Sequence, residues 1–267
     1  MRINSIFTSL EGEGICSGVP TLFIRTQGCD FKCPFCDTKD SWDEFSGLNY
    51  NKDQLMSKIQ NAINGGINRI SFTGGNPLLH IKEIKEVITE ISKANPKVFS
   101  KNNIKFNLEH PGVNFQLDSF IVDSTGIFWE SADWLRNSID FDTINVDIKL
   151  PIAKLYNNDG FTDNIVEYIT RIYEGKLSSN VYIKFLVDNS TEQSLIKILH
   201  LLGLYEINIP NPMFISPIIK GTEYLLDSTS ICTIQREYSK YSKFVIENSN
   251  GLDLRLNVQM HKLINID

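Results

Sequence analysis

Nowhere in this chain of 267 residues is there a continuous apolar run of about 18 residues, the length a membrane helix needs. Met1 to Leu10 likewise holds no long apolar run followed by a small-residue cleavage site, so neither a membrane span nor a secretory leader is expected. An excess of positive charge is also missing: 26 Lys plus Arg stand against 32 Asp plus Glu, a formal net charge of -6. That balance gives no global electrostatic reason to bind nucleic acid. Histidine is scarce, at four residues, and His80, His110 and His200 carry no expected role. No internal repeat or low-complexity segment interrupts the pattern. The three tryptophans, Trp42, Trp129 and Trp134, read as core or interface aromatics. Cysteine is few and odd in number, at five, which makes a disulfide framework a poor reading for a chain of this size and a reducing, cytoplasmic setting the better one.

What the chain does have is a local crowd of thiols. Cys29, Cys33 and Cys36 fall within the stretch GCDFKCPFCDT, whereas Cys16 and Cys232 stand alone and read as small buried hydrophobes. A spacing of three residues and then two lets one loop wrap three corners of a compact inorganic cluster and leaves the fourth corner without a protein ligand. An open iron is useful because it can bind a small molecule; zinc completed by a remote His or by Cys232 is the alternative.

The surrounding pattern is that of a parallel α/β protein. TLFIRT, Thr21 to Thr26, reads as a strand feeding the cysteine loop. Leu55, Ile59 and Ile63 share one face of a helix over Asp53 to Asn64, which Gly65-Gly66 would stop. A short strand, Ile70 to Phe72, runs into a turn at Gly74, Gly75 and Pro77, and Ile81 to Ala94 is again helical. In TINVDIKLP, Ile144, Val146 and Ile148 alternate with polar neighbours, which puts Asp147 and Lys149 on the opposite face. Asn164 to Tyr173 and Glu192 to Leu202 read as helices, VYIKFLV and MFISPII as strands, and Leu254 to Leu263 as a last strand. About six such units predict an α/β fold with an open parallel sheet, an incomplete (β/α)6-like partial TIM barrel. It should form a single domain over 1–267, elaborated around 99–141, where strands or an insertion are expected. Cys29, Gly74-Gly75 and the tail Ser124 to Gly126 would then meet at the C-terminal ends of the strands.

The CxxxCxxC loop after a first strand, with Phe35 before its last cysteine, resembles the radical S-adenosylmethionine enzymes. Finer motifs are similar to the 7-carboxy-7-deazaguanine synthases of the queuosine pathway. These are Glu11-Gly12-Glu13-Gly14, Gly18, Phe23-Ile24-Arg25, Gly28-Cys29-Asp30, Cys36-Asp37-Thr38, Thr73-Gly74-Gly75-Asn76-Pro77 and Val258-Gln259-Met260-His261-Lys262. The match is dense from Ser5 to Trp42 and poor from Phe99 to Phe141. The resemblance implies a four-iron four-sulfur (4Fe-4S) cluster on Cys29, Cys33 and Cys36, with S-adenosylmethionine on the open iron. It implies a 5'-deoxyadenosyl radical that takes the C6 hydrogen of 6-carboxy-5,6,7,8-tetrahydropterin, followed by ring contraction and loss of ammonia to give 7-carboxy-7-deazaguanine. S-adenosylmethionine would be regenerated as a cofactor.

The same resemblance assigns roles along the chain. Gly74, Gly75, Asn76, Ser124 and Lys149 would contact S-adenosylmethionine. Glu11, Glu13, Gly14, Arg25, Asp123 and His261 would contact the pterin, Arg25 through a fork suited to the substrate carboxylate. Thr38 would ligate Mg2+ together with substrate and water oxygens, its bland rival being a cap on the next segment. Gln259 would support structure. Partners implied are an electron donor such as flavodoxin or ferredoxin and a second copy of the chain in a homodimer. The chain departs from the family pattern at Glu11, where Gln is more frequent, at Asn76 and Asp123, where Glu is common, and at Asp147. An enzyme that installs a glycyl radical on a partner protein would share the cysteine loop, but it would need a broad groove in place of a closed pterin pocket.

Overall fold

The computed structural model describes residues 1–94, 96, 103–110, 141–156, 161–174, 181–219, 228–249 and 251–259. Among the described residues nine strands form one sheet: β1 (Arg2–Leu10), β2 (Pro20–Thr26), β3 (Leu48–Asn49), β4 (Arg69–Gly74), β5 (Lys105–His110), β6 (Thr143–Lys149), β7 (Val181–Val187), β8 (Met213–Pro217) and β9 (Leu254–Leu256). Their spatial order is β3-β1-β2-β4-β5-β6-β7-β8-β9. From β2 through β4 to β9 the pairing is parallel, while β1 and β3 extend one edge antiparallel. This is the open, mostly parallel sheet of a partial barrel. The helices α1 (Lys52–Asn64), α2 (Ile81–Ala94), α3 (Leu150–Tyr156), α4 (Phe161–Glu174), α5 (Glu192–Leu204) and α6 (Ser228–Asn248) fall between parallel strands. No helix among the described residues is long and apolar enough to cross a membrane.

Local signals set the element ends. Asn51 accepts from Gln54 N–H at 2.9 Å while the Gln54 side chain accepts from Asn51 N–H at 2.9 Å, a reciprocal cap that starts α1. Gly66, at φ 90°, takes the left-handed turn that ends it.

The two-residue period of the strands separates two environments. Leu22, Ile24, Ile70, Phe72, Phe106, Leu108, Ile144, Val146, Ile148, Ile183, Phe185, Met213 and Ile215 are buried in one apolar core with the inner faces of the helices. Most alternate residues are polar, among them Arg25, Arg69, Ser71, Asn107, Glu109, Thr143, Asn145, Asp147, Lys149, Lys184 and Ser216, with Phe23, Tyr182, Leu186 and Phe214 between them. They line a concave face. Its curvature shows in Arg69 on β4, which reaches across β5 to donate to Thr143 Oγ1 on β6 at 3.1 Å.

Some boundaries differ from expectation. Arg2–Leu10 is a full strand, and Ser228–Asn248 is a long helix that the sequence pattern did not announce. Among the described residues the last strand ends at Leu256. Of the region 99–141, where strands or an insertion are expected, residues 99–102 and 111–140 lie outside the described residues.

Candidate active site

At the C-terminal end of β2 the chain leaves the sheet through Gly28, at φ 95°, and folds back on itself. Gly28 N–H donates to Ser41 O at 2.8 Å, and Cys29 N–H to Trp42 O at 3.2 Å. Gln27, buried at the base, donates from Nε2 to Asp40 O at 2.9 Å and Asp43 O at 2.7 Å. These bonds close the cysteine loop as a unit. Cys33 is 6% exposed, and Cys29 and Cys36 are half-buried. Burial pushes the Cys33 thiol up to about 11 against the opposing charge of Lys149. It also raises Cys29, which the N–H groups of Phe31 and Lys32 partly offset. Three thiolates in so dry a loop therefore need positive charge brought by what they hold.

The donor set fits an iron–sulfur cluster better than zinc. No three His, Cys, Asp or Glu among the described residues are placed to hold a single ion, whereas a cluster takes each thiolate at a separate corner. Cys232, the remote thiol of the zinc alternative, is exposed on α6 and so is not the small buried hydrophobe expected of it, while Cys16 is half-buried.

The end of β4 packs directly against this loop. Gly75 N–H donates to Thr26 O at 3.1 Å, and Asn76 N–H to Gly28 O at 2.7 Å. A Cβ on Gly74 would stand 2.4 Å from Thr26 N, and one on Gly75 2.1 Å from Gly28 O. Only glycine permits this approach. Asn76 donates from Nδ2 to Asp30 Oδ1 at 2.8 Å and accepts from Leu78 N–H at 3.0 Å, capping the short helical turn Pro77–His80. One lone pair of its oxygen remains. Thr38 opens the turn Lys39–Ser41 without a side-chain cap bond. Its hydroxyl lies 3.6 Å from Cys36 Sγ.

Below the loop, Arg25 sits half-buried on the concave face, its guanidinium 5.1 Å from the Phe7 ring centroid. Phe7 stacks on Phe23 at 5.2 Å. No described carboxylate pairs with Arg25. Glu13 and Gly14 enter the concavity from the β1–β2 connection. Gly14, at φ 66°, donates to Asn257 Oδ1 at 3.0 Å, and a Cβ there would meet Tyr182 Oη at 2.6 Å. Glu13 accepts from Lys184 Nζ at 2.8 Å, from Asn257 Nδ2 at 3.1 Å and from Gln259 Nε2 at 2.7 Å. Lys184 also meets Asp147 Oδ1 at 3.1 Å, and Lys149 meets Asp147 Oδ2 at 3.2 Å. Burial disfavours charge on both Asp147 and Lys184, but the pairing outweighs it: Asp147 is held below the usual carboxylate range, and Lys184 well above the usual amine range, with Glu13 and Glu109 adding to the latter.

Cys29, Cys33, Cys36, Thr38, Gly74, Gly75 and Asn76 are thus gathered at one rim, with Arg25, Lys149, Glu11, Glu13 and Gly14 on the concave face beneath. Asp123, Ser124 and His261 lie outside the described residues. Sequence reasoning missed Gln27, Glu109, Lys184 and Asn257. Glu109 accepts from the Asn107 side chain at 2.8 Å and from that of Asn145. Its one signal was an acid at a strand end with Gly112 three residues on.

Comparison with known proteins gives four findings. The family model for the Radical SAM superfamily matches residues 23–202. The chain is 38% identical over 103 residues to the 7-carboxy-7-deazaguanine synthase of Methanospirillum hungatei, a match that takes in 39% of this chain and 42% of that protein. It is 25% identical over 266 residues to the 7-carboxy-7-deazaguanine synthase of Methanothermobacter thermautotrophicus, covering 99% and 97%. In fold it resembles the crystal structure of QueE from Escherichia coli, with a TM-score of 0.55, 19% identity and coverage of 97% and 94%.

Proposed function

The chain belongs to the radical SAM superfamily, whose family model spans about two thirds of it, and from that premise we infer that it converts 6-carboxy-5,6,7,8-tetrahydropterin to 7-carboxy-7-deazaguanine with loss of ammonia. A relative aligned over nearly its whole length carries that name. The observation that carries the reading is the Arg25 fork on the concave face beneath the cysteine loop, which no described carboxylate meets and which faces the same concavity as the Glu13–Gly14 turn. When bound, a 4Fe-4S cluster with S-adenosylmethionine supplies the carbon radical that removes a hydrogen from the substrate.

The chain's own residues do the rest. Cys29, Cys33 and Cys36 hold the cluster, and the Gly74-Gly75 turn lets backbone come close to the methionyl end of S-adenosylmethionine. Lys149, 5.2 Å from the Phe31 ring, places positive charge beside the buried thiols. Arg25 clamps the substrate carboxylate in two parallel N–H···O bonds, which fixes the ring against rotation. Glu13, oriented by Lys184, Asn257 and Gln259, offers acceptors to the ring N–H groups, with Asp123 and His261 completing the pocket. Thr38, whose side chain makes no cap bond, would be the protein ligand of a Mg2+ ion that helps to fix the substrate. The enzyme works in the cytoplasm as a homodimer and draws electrons from a flavodoxin or ferredoxin. The pinned Glu11–Gly14 turn across the concavity speaks for a small-molecule pocket and against a groove for a protein partner.

Anaerobic reconstitution, followed by reductant, S-adenosylmethionine and the carboxylated tetrahydropterin with mass detection of product, tests this. Wild type should form 7-carboxy-7-deazaguanine. Arg25→Lys, which keeps the charge and loses the fork, should raise the KM for the pterin about tenfold or more with S-adenosylmethionine binding retained. Equal KM and turnover in the two proteins would refute the clamp, and no product from wild type would refute the reaction.

A further inference from the structure

Glu11 is an anomaly on the concave face. It is 8% exposed, and its Oε2 is a buried oxygen with no hydrogen-bond partner among the described residues. Its backbone is fixed, with N–H donating to Val19 O at 2.8 Å and O accepting from Gly18 N–H at 2.7 Å, so the side chain is held in place. The nearest cation, Arg69, is 4% exposed and stands 3.8 Å from Oε2 through an Nε that is itself unpartnered. That distance is an ion contact without a hydrogen bond.

The groups facing Glu11 do not favour its charge. From its own loop come Glu13 and Cys16, from β4 Arg69, from β5 Glu109, and from β7 Tyr182 and Lys184. Lys184 is already committed to Glu13 and Asp147. Arg69 spends another nitrogen on Thr143. Desolvation is the largest influence on Glu11, with two acids raising it further and two bases lowering it, and burial pushes Glu109 up as well. A buried carboxylate without a donor is costly, whereas a neutral acid there needs one acceptor for its O–H.

We propose that Glu11 works as a neutral carboxylic acid, donating its O–H to an acceptor atom of the substrate ring, a carbonyl oxygen or an unprotonated nitrogen, and so determining which heterocycle fits. The proposal rests on the pterin reading above. Burial, reinforced by Glu109 and Glu13 and partly offset by Arg69 and Lys184, pushes Glu11 up to about 8, so the acid form prevails at neutral pH. A charged carboxylate in the same place would repel the acceptor that the acid form reads.

The test uses anaerobically reconstituted holoenzyme with S-adenosylmethionine and no reductant, titrated with 6-carboxy-5,6,7,8-tetrahydropterin between pH 6.5 and 9.5. S-adenosylmethionine affinity serves as the check on folding. For one group titrating at about 8, the wild-type Kd should rise about tenfold from pH 7 to pH 9. In Glu11→Gln, whose amide donates and accepts but does not ionise, this rise should vanish. The difference infrared spectrum at pH 7 should carry a protonated-carboxyl band that Glu11→Gln lacks. A band unchanged in Glu11→Gln overturns the proposal, as does a pH limb that survives in Glu11→Gln and disappears in Glu109→Gln. Failure of wild type to bind the pterin at any pH, with the Glu11-dependent band present, refutes the pterin reading while supporting the neutral acid.

Discussion

Replacing Gly75 with Ala should separate the two turns that build the site's rim. The added Cβ would lie 2.1 Å from Gly28 O, 2.7 Å from Gly28 C and 2.9 Å from Ser41 O, all backbone atoms that no rotamer change can move aside. A comfortable C···O contact is about 3.3 Å, so the β4 turn and the cysteine loop must part by about 1 Å. Overpacking of this kind costs about 1–3 kcal/mol. The separation also breaks Asn76 N–H to Gly28 O and Gly75 N–H to Thr26 O, each worth about 1 kcal/mol. A loss of about 3 kcal/mol or more lowers Tm by roughly 6–12 °C in a chain of this size. Gly75 does not adopt a left-handed conformation, so the cost is one of space alone. Thermal melts of the apoprotein and iron content after anaerobic reconstitution read the two effects, with Gly203→Ala as control, because nothing stands within 4 Å of a Cβ there. A Gly75→Ala protein that melts like Gly203→Ala and takes up iron like wild type would refute the close-approach argument.

Lys184→Met removes the cation shared by Glu13 and Asp147 and should cost about 3–5 kcal/mol at neutral pH by denaturant unfolding. Asp147, held below its ordinary value in wild type, contributes stability above the unfolded carboxyl range and loses it as pH falls through its depressed value. The deficit of Lys184→Met should therefore shrink toward pH 3. Glu11 carries the opposite sign: its raised value costs stability progressively as pH rises from the unfolded range of about 4.3 to about 8. Glu11→Gln should thus gain stability relative to wild type at pH 8 and little at pH 4, and an equal offset at both would contradict the buried acid. Lys149→Met withdraws the charge that opposes burial at Cys29 and Cys33, so cluster iron should be lost faster on anaerobic dialysis. Retention equal to wild type would remove Lys149 from that role.

Where side chains follow the strand period, the sequence was readable. Thr143–Lys149 is the clearest instance, with Ile144, Val146 and Ile148 in the core and Asp147 and Lys149 on the concave face. β1 was not legible, because Arg2–Leu10 is half-buried along most of its length and shows no clean alternation. Helix α6 was hidden for a related reason: STSICTIQREYSKYSKFVIEN is mainly polar and commits few side chains, among them Ile234 and Tyr241, to burial. Within the site, the cysteine spacing and the glycine pair announced themselves because their chemistry is local. Lys184 did not, since its meaning depends on Glu13, 171 residues earlier. Read alone, it is one cation inside an apolar strand. Asp147, a departure from the family pattern in sequence, becomes intelligible only as the anion between Lys149 and Lys184.

The charge inventory of the concave face ties the proposed reaction to this one structure. Arg25, Arg69, Lys149 and Lys184 face Glu11, Glu13, Glu109 and Asp147 among the described residues, while Lys105 and Asp142 neutralise each other at the start of β5 and β6. Eight full charges at such close quarters would sum to zero. Counted over these described residues alone, a neutral Glu11 leaves one positive charge over, shared between Arg69, whose described carboxylate contact is Glu11 itself, and Arg25, which no described carboxylate meets. A guanidinium half-buried against Phe7 and met by no described carboxylate gains from an anion that can take both arms of its fork. A neutral pterin would leave that charge unmet and be held by its ring contacts alone, those at Glu11 and Glu13 among them. A pterin bearing one carboxylate balances the charge at Arg25 and, through its ring acceptors, satisfies the acid at Glu11, so the same pocket discriminates by charge at one end and by hydrogen bonding at the other.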